Sequence, residues 1–421
     1  MKFHFFKDEI QNFKNVAKIH VPDYTYCMFP KRFLNSTLTT LFFLSLFLIE
    51  SCGTTKEIST SKESHKTAVP QAELSLVFAG DIMAHAPNYK ITDFDRIWRD
   101  ITPLVFSADL AFANVEAPVA DSLPWSTYPQ FNMHTEYVEA AIKAGFNVFS
   151  LTNNHTNDQY LDGIKQTKKY FDSRKGIWAC GLKEKSAGPL TYKIIDKKGF
   201  KVLFVAITEI LNRNDFSSYI DYYPSTEKKR EQLIEELKNL QESSKADLFV
   251  LSVHTDEPEY VIAVTENHKK FFRRIIEECK ADIIWANHPH VVKIFEETAA
   301  STQYTETLGQ KERKAFLMYA NGNTISAQRT NPQFEAPETA RDYTGEGLII
   351  KMKATKMNDG SVILSDYEPH LITTYITPIW QFVVKKLDDD FIATLDRAEL
   401  TTWAKYLTER KKLMEKVLAG E

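Results

Sequence analysis

Cysteine, net charge and long apolar runs are all scarce in this chain, and each scarcity excludes something. Four cysteines occur among 421 residues. Cys27 and Cys52 precede the globular part, so only Cys180 and Cys279 remain there, too few for a disulfide framework. The fold must therefore rest on its core. Fifty-two basic residues against 56 acidic ones leave a formal charge of -4, which creates no field that would gather nucleic acid. The apolar run from Leu41 to Ile49 is too short to read as a spanning helix. What remains is ordinary globular composition, long enough for one large α/β domain or two smaller ones.

That apolar run has a context of its own. "MFPKRFLNSTLTTLFFLSLFLIESC" begins at Met28, carries Lys31 and Arg32, and ends at Cys52. A basic start, a short apolar core and a small residue before cysteine are the marks of a secretory signal. Ser51-Cys52 resembles the lipobox of bacterial lipoproteins, which implies lipidation of Cys52 and an exported, membrane-anchored chain on the periplasmic or cell-surface side. Glu50 is an unusual neighbour for that motif, and an uncleaved signal anchor is the alternative. Met28 is the expected true start. Residues 1–52 are thus an export segment, and 53–72, rich in Ser, Thr and Lys, form a polar tether of about 25 Å mean reach if it behaves as a coil.

From Glu73 onward, strand-length apolar runs such as "LSLVFAGD", "LAFANVE", "LFVLSVH" and "DIIWANH" alternate with stretches of helical spacing such as "ENHKKFFRRIIEECK". Buried strands alternating with helices predict an α/β architecture with mostly parallel pairing. The core domain is expected over 73–352, with a C-terminal extension over 353–421. Its tail places Trp403, Tyr406, Leu407, Met414 and Val417 at helical spacing, for packing on the domain or for a partner. Two polar excursions, "EETAASTQYTETLGQKERK" and "SAQRTNPQFEAPETARDYTGE", interrupt the core. The second is either a substrate-facing loop or an ordinary surface loop.

The strand ends carry the chemistry. Asp81 closes the first apolar run, Asn114 and Glu116 the second, and Asn153, Asn154 and His155 the third. His254, His288, His290 and Asn323 close later ones. In parallel α/β sheets, ligands bind beyond the strands' carboxyl ends. One polar strand end means little, and a single histidine there is usually structural, but six such ends point to a shared site. Mixed carboxylate, amide and imidazole donors suit Mn, Fe or Zn rather than Ca or a cysteine-based zinc. The set exceeds one tetrahedral ion, so two ions about 3.5–4 Å apart with a bridging carboxylate are expected. In "ANHPHVVK", Pro289 restricts His288 to extended geometry, and an extended HPH would face both imidazoles to one side.

At these residues the chain resembles the bacterial capsule synthesis proteins, the poly-γ-glutamate CapA group of the calcineurin-like metallophosphoesterase superfamily. The resemblance covers about Leu74 to Lys351 and rests on "FAGDIM", "ADLAFANVEAPV", "YVEAAIKAGFNVFSLTNNHTND", "VLSVH…EY", "ANHPHVVK" and "YANGN". It implies a metallophosphatase-like two-sheet β-sandwich flanked by helices. It also implies metal ligands at Asp81, Glu116 (a candidate bridge), Asn154, His254, His288 and His290. Asn154 and His155 resemble the pair that steadies a transferring phosphate, and Asn114 and Asn323 are candidate substrate contacts. Asp158 either orients His155 or supplies helix N-terminal charge. Several positions depart from the family pattern: Met83 in place of a phosphoesterase histidine, the longer "HTDEPEY", Asn287, Lys293, Asn321 and Thr324. These departures are expected at the rim of the site.

The resemblance implies an envelope-anchored protein assisting synthesis, release or export of an anionic capsule or surface polymer. Metal-dependent hydrolysis of a phosphoester-type bond is one way it would do so. Its partners would be that polymer or its phosphorylated intermediate, a membrane synthase or export complex, and the membrane itself through a lipid anchor. Two alternatives are a non-catalytic assembly factor on the same fold and a general envelope phosphoesterase.

Overall fold

The computed structural model describes residues 69–299 and 313–421; the export segment, Cys52 and most of the tether lie outside the described residues. Strands in chain order are β1 (Pro70–Ile82), β2 (Leu110–Val115), β3 (Val148–Ser150), β4 (Trp178–Cys180), β5 (Tyr192–Lys197), β6 (Phe200–Thr208) and β7 (Leu248–His254). They continue as β8 (Ile283–Asn287), β9 (Phe295–Ala299), β10 (Lys314–Met318), β11 (Asn323–Ile325), β12 (Glu346–Met357), β13 (Val362–Ile376) and β14 (Phe382–Lys386). One sheet has the order β14-β13-β12-β1-β2-β3-β4, with β11 also paired to β1. The other runs β5-β6-β7-β8-β10-β9. The pairs β1-β2-β3-β4 and β6-β7-β8-β10 are parallel.

Alternating side chains explain why the runs are apolar throughout. Leu76 and Phe78 of β1 pack with Phe112, Phe204, Val250 and Trp285 between the sheets. Val77 and Ala79 face the other way, under the helices Thr135–Lys143 and Tyr160–Asp172. The second sheet does the same: Leu203, Val205, Leu251 and Val253 meet the helices Glu227–Ser244 and Glu266–Cys279. The central strands of each sheet are therefore buried on both faces, which selects Val, Ile, Leu and Phe along them. The sandwich flanked by helices is the architecture expected from the sequence. The Trp285 indole on β8 donates to the Ala79 carbonyl on β1 (2.7 Å), a polar tie across an apolar layer.

Beyond residue 352, the chain first extends the sheet through β12, β13 and β14 in antiparallel order, and only then turns helical at Asp389–Arg397 and Thr401–Ala419. Met414 and Val417 of the last helix enter the layer between the sheets. Arg410 on the same helix and Arg329 both pair with Glu346, and all three are buried. Tyr406 donates to Asp342. The helix thus packs on the domain and pins the polar segment 326–345 alongside it. Much of the other polar excursion falls outside the described residues. Among the described residues no helix is long and apolar enough to cross a membrane.

A close approach sets the register at the end of β1. Asp81 N–H donates to the Gly322 carbonyl (3.0 Å), and Gly80 N–H donates to Thr324 Oγ1 (2.8 Å). A Cβ on Gly80 would lie 1.9 Å from the Gly322 oxygen, so only glycine fits there. The approach places Asp81 opposite Asn323.

Candidate metal centre

The carboxyl ends of β1, β2, β7 and β8 meet at one rim, and the side chains beyond them touch. Asn114 is the hub. Its Nδ2 donates to Asp81 Oδ1 (2.8 Å) and stands 3.4 Å from His254 Nδ1, while its Oδ1 accepts from Asn153 Nδ2 (3.4 Å). His254 Nε2 lies 2.9 Å from Asn154 Oδ1 and 3.2 Å from His288 Nδ1. His290 lies 3.3 Å from Asp81 Oδ2 through Nδ1 and 3.5 Å from Glu116 Oε1 through Nε2. Two donor groups result, Asp81–Glu116–His290 and Glu116–His254–His288, each with ligand atoms within 4.8 Å of one another. Glu116 belongs to both.

The donor set fits a cation on its own chemistry. Asp81 Oδ2 and Glu116 Oε1 are buried and without hydrogen-bonding partners, facing imidazole nitrogens. Buried polar atoms are otherwise nearly always satisfied. Burial, and after it the negative charge of Asp81, pushes the Glu116 carboxyl well above its usual range. Burial, then His288 and His290, holds His254 well below its ordinary value, and burial followed by His290 brings His288 down to about 4. Neutral imidazoles are the form that ligates metal, and a divalent charge at this point would return Glu116 to its carboxylate form.

The loop that carries the last two donors differs from expectation. β8 stops at Asn287, and neither histidine beyond it is extended: His288 has φ 107 and His290 φ 58. Positive φ is costly for any residue but glycine and persists only where its surroundings enforce it. A tight reversal through Pro289, rather than a straight strand, aims the two rings at different members of the donor set. Tyr260 N–H, donating to the Pro289 carbonyl (2.9 Å), holds the reversal from outside.

Asn114 and Asn323 are buried and commit their amides to the protein. Asn323 Nδ2 donates to the Thr344 carbonyl and to Gln328 Oε1, both at 2.9 Å, and its Oδ1 stands 3.1 Å from His290 Nδ1. Both amides are thus engaged within the protein. Asp158 Oδ2 lies 2.7 Å from His155 Nδ1 and accepts from Phe131 N–H at 2.7 Å. Of the departures from the family pattern, "HTDEPEY" and Asn287 adjoin His254 and His288 at the rim, while the others are buried in the protein. Met83 is in the core under Tyr137, whose hydroxyl donates to the Met83 carbonyl. Asn321 Nδ2 donates to the Phe78 carbonyl (3.1 Å), Thr324 accepts from Gly80, and Lys293 is fully buried.

Three neighbours did not show in the strand-end pattern. Asn212, in the loop after β6, is exposed and lies 3.4 Å from His155 Nε2. His85, past the end of β1, accepts the Ala327 N–H at Nδ1 (3.2 Å) and is pushed down to about 3 by burial, then by His290 and His155. Arg341 of the pinned polar segment lies over the Tyr260 ring (4.7 Å), whose plane faces His290. Each sits in a loop some residues beyond a strand end, where the spacing carries no mark. The cavities of about 300 and 800 Å³ near Lys183–Tyr192 contain none of these residues.

A two-sheet α/β sandwich with a buried His/Asp/Glu donor set at the shared rim defines the class: a fold able to hold a metal. Residues 75–328 match the family described as Bacterial capsule synthesis protein PGA_cap, and the chain belongs to that family. It is 25% identical over 236 residues to the "Capsule biosynthesis protein CapA" of Bacillus anthracis, a match covering 53% of this chain and 56% of that one. The match thus spans little more than half the relative's length. Two solved structures from Thermus thermophilus are similar more distantly. A hypothetical protein aligns at TM-score 0.41 and 16% identity, covering 71% of this chain and 98% of its own. TT1561 aligns at TM-score 0.35 and 8% identity, covering 70% and 98%.

Proposed function

We propose that this protein assists the synthesis, release or export of an anionic capsule or surface polymer by hydrolysing a phosphoester-type bond in an envelope intermediate. The chain would be exported and held at the membrane through Cys52. The observation that carries the reading is Glu116, which is shared between two buried donor groups and has an oxygen without a partner. Asp81, Glu116, Asn154, His254, His288 and His290 would hold two divalent ions such as Mn, Fe or Zn. Bound ions supply charge neutralisation of the ester and activation of water.

The chain's own groups do the rest. Asp158 accepts the Nδ1 proton of His155, which leaves Nε2 free beside the exposed Asn212. From there His155 steadies charge developing on a phosphate oxygen, and the Asn212 amide binds a neighbouring one. The six-donor cluster is buried, so bulk water is kept from the carboxylates.

The test is metal analysis of the purified protein together with turnover of generic phosphodiesters. Near-stoichiometric transition metal and metal-dependent turnover are expected. Less than roughly a tenth of an equivalent of any transition metal, with no turnover, would remove the enzyme reading. One observation favours a second reading, a binding or assembly factor on the same fold: Met83 is in the core, so β1 brings one donor to the site, Asp81. Capsule production that survives Asp81→Ala and His155→Ala in cells would favour that factor and sink hydrolysis.

A further inference from the structure

A second group of charges lies under the metal centre, and the proposed chemistry does not use it. Arg230 Nη2 donates to Glu209 Oε1 (2.9 Å), and Glu209 Oε2 is 2.6 Å from His268 Nε2. His268 Nδ1 is 2.8 Å from Glu257 Oε1, and Glu257 Oε2 pairs with Lys293. Asp256 approaches His268 Nε2 from the side (3.3 Å). Charges alternate along the chain, and its five main members are at most 5% exposed. Glu209, Asp256 and His268 have the spacing of a metal site. Arg230 and Lys293, however, already bring the positive charge a cation would.

Glu257 and Lys293 come from the loops that carry metal donors, whereas Arg230 and His268 sit on the helices Glu227–Ser244 and Glu266–Cys279. Glu209 follows β6, and its N–H donates to the His254 carbonyl (2.8 Å). Glu257 stands three residues after His254, and Lys293 three after His290. Lys293 also donates to the Ala263 carbonyl (2.8 Å), and Thr255 N–H donates to the Asn287 carbonyl (3.2 Å), so the two loops are laced together at several points. The longer "HTDEPEY" segment and Lys293, two departures from the family pattern, are the two sides of one ion pair.

We propose that Lys293 and Glu257 are positioning residues for the metal centre: their buried ion pair locks the His254 loop to the His288–His290 loop. The first sheet fixes its own donors through Asn114 and needs no such lock. The second sheet must hold two loops, one of them strained at both histidines, in a fixed mutual position. The inference rests on the metal-binding reading but not on hydrolysis.

The test uses the purified full-length protein with Mn²⁺ as the probe, followed by isothermal titration calorimetry and by the Mn²⁺ electron paramagnetic resonance spectrum. Lys293→Met and Glu257→Gln are compared with Leu237→Ala, a core truncation on the far face of the second sheet. Glu257→Gln keeps the shape while removing the charge and one acceptor oxygen, and so guards against a Lys293→Met chain that does not fold. Folded Lys293→Met or Glu257→Gln is expected to bind Mn²⁺ at least about 10-fold more weakly, with an altered spectrum. The double variant should lose little more than the worse single one, as paired residues do. Leu237→Ala should melt earlier yet bind Mn²⁺ as wild type does. Affinities within two-fold of wild type for folded Glu257→Gln, or an equal loss in Leu237→Ala, overturn the proposal. A wild type that takes up no Mn²⁺ overturns it together with the metal reading, whereas Mn²⁺ uptake without turnover removes hydrolysis alone.

Discussion

Asp158 decides which nitrogen of His155 faces outward, since it stands 2.7 Å from Nδ1. Asp158→Asn keeps the volume and loses the charge, and turnover is expected to fall by about 10- to 100-fold with little change in melting temperature; steady-state kinetics beside a thermal melt checks both. Gly80→Ala acts by crowding. The new methyl meets the Gly322 carbonyl, so β1 and β11 must part, with an expected loss of roughly 1–3 kcal/mol in urea unfolding and weaker Mn²⁺ uptake. His268 gives the pH dependence. Burial works against its charge, but Glu209 and Glu257 hold the imidazolium, raising it to about 9 from an ordinary 6.5. A raised folded value gives stability that is complete below about 6.5 and fades as pH rises through 9, on the order of 3 kcal/mol. Unfolding titrations from pH 6 to 10 should show this slope, and His268→Gln should flatten it.

At the level of elements, strands and loops differ in how much the sequence discloses. Runs such as "LFVLSVH" are buried on both faces, and that requirement writes itself directly into composition. The donors at their ends could be named for the same reason: one polar residue closing such a run merely ends a strand, but six doing so converge on a site. Loops carry no periodicity. The reversal at His288 and His290 is imposed by contacts from Tyr260 and Asn323, which lie far off in the chain, so "HPH" alone reads as extended. Asn212, His85 and Arg341 were hidden likewise, because what brings them near is the path of a loop. The last helix illustrates the converse, a legible stripe with illegible consequences. Its apolar spacing foretold packing, while the pairing of Arg410 with Glu346 depends on β12. Arg410→Met should lower stability by about 3–5 kcal/mol in denaturant unfolding, since Glu346 Oε2 would be left buried without its donors.

Over the whole molecule, two sheets form independent hydrogen-bond ladders and must still present their ends at one rim to better than an ångström. Side chains between the sheets fix their separation, but apolar packing alone tolerates sliding. The Trp285 indole bond to Ala79 opposes that slide, and Trp285→Phe should both destabilise the fold by about 1–3 kcal/mol and loosen Mn²⁺ binding, readable by melting and calorimetry. The pairing of β1 with β11 has a consequence in time. Gly80 and Thr324 are hydrogen-bonded although 244 residues separate them, so the first and last contributors to the rim can meet only once the chain has been made through Thr324. A product ending before Thr324 would lack the strand that closes on Gly80 and so would leave the end of β1, and Asp81 with it, without its partner.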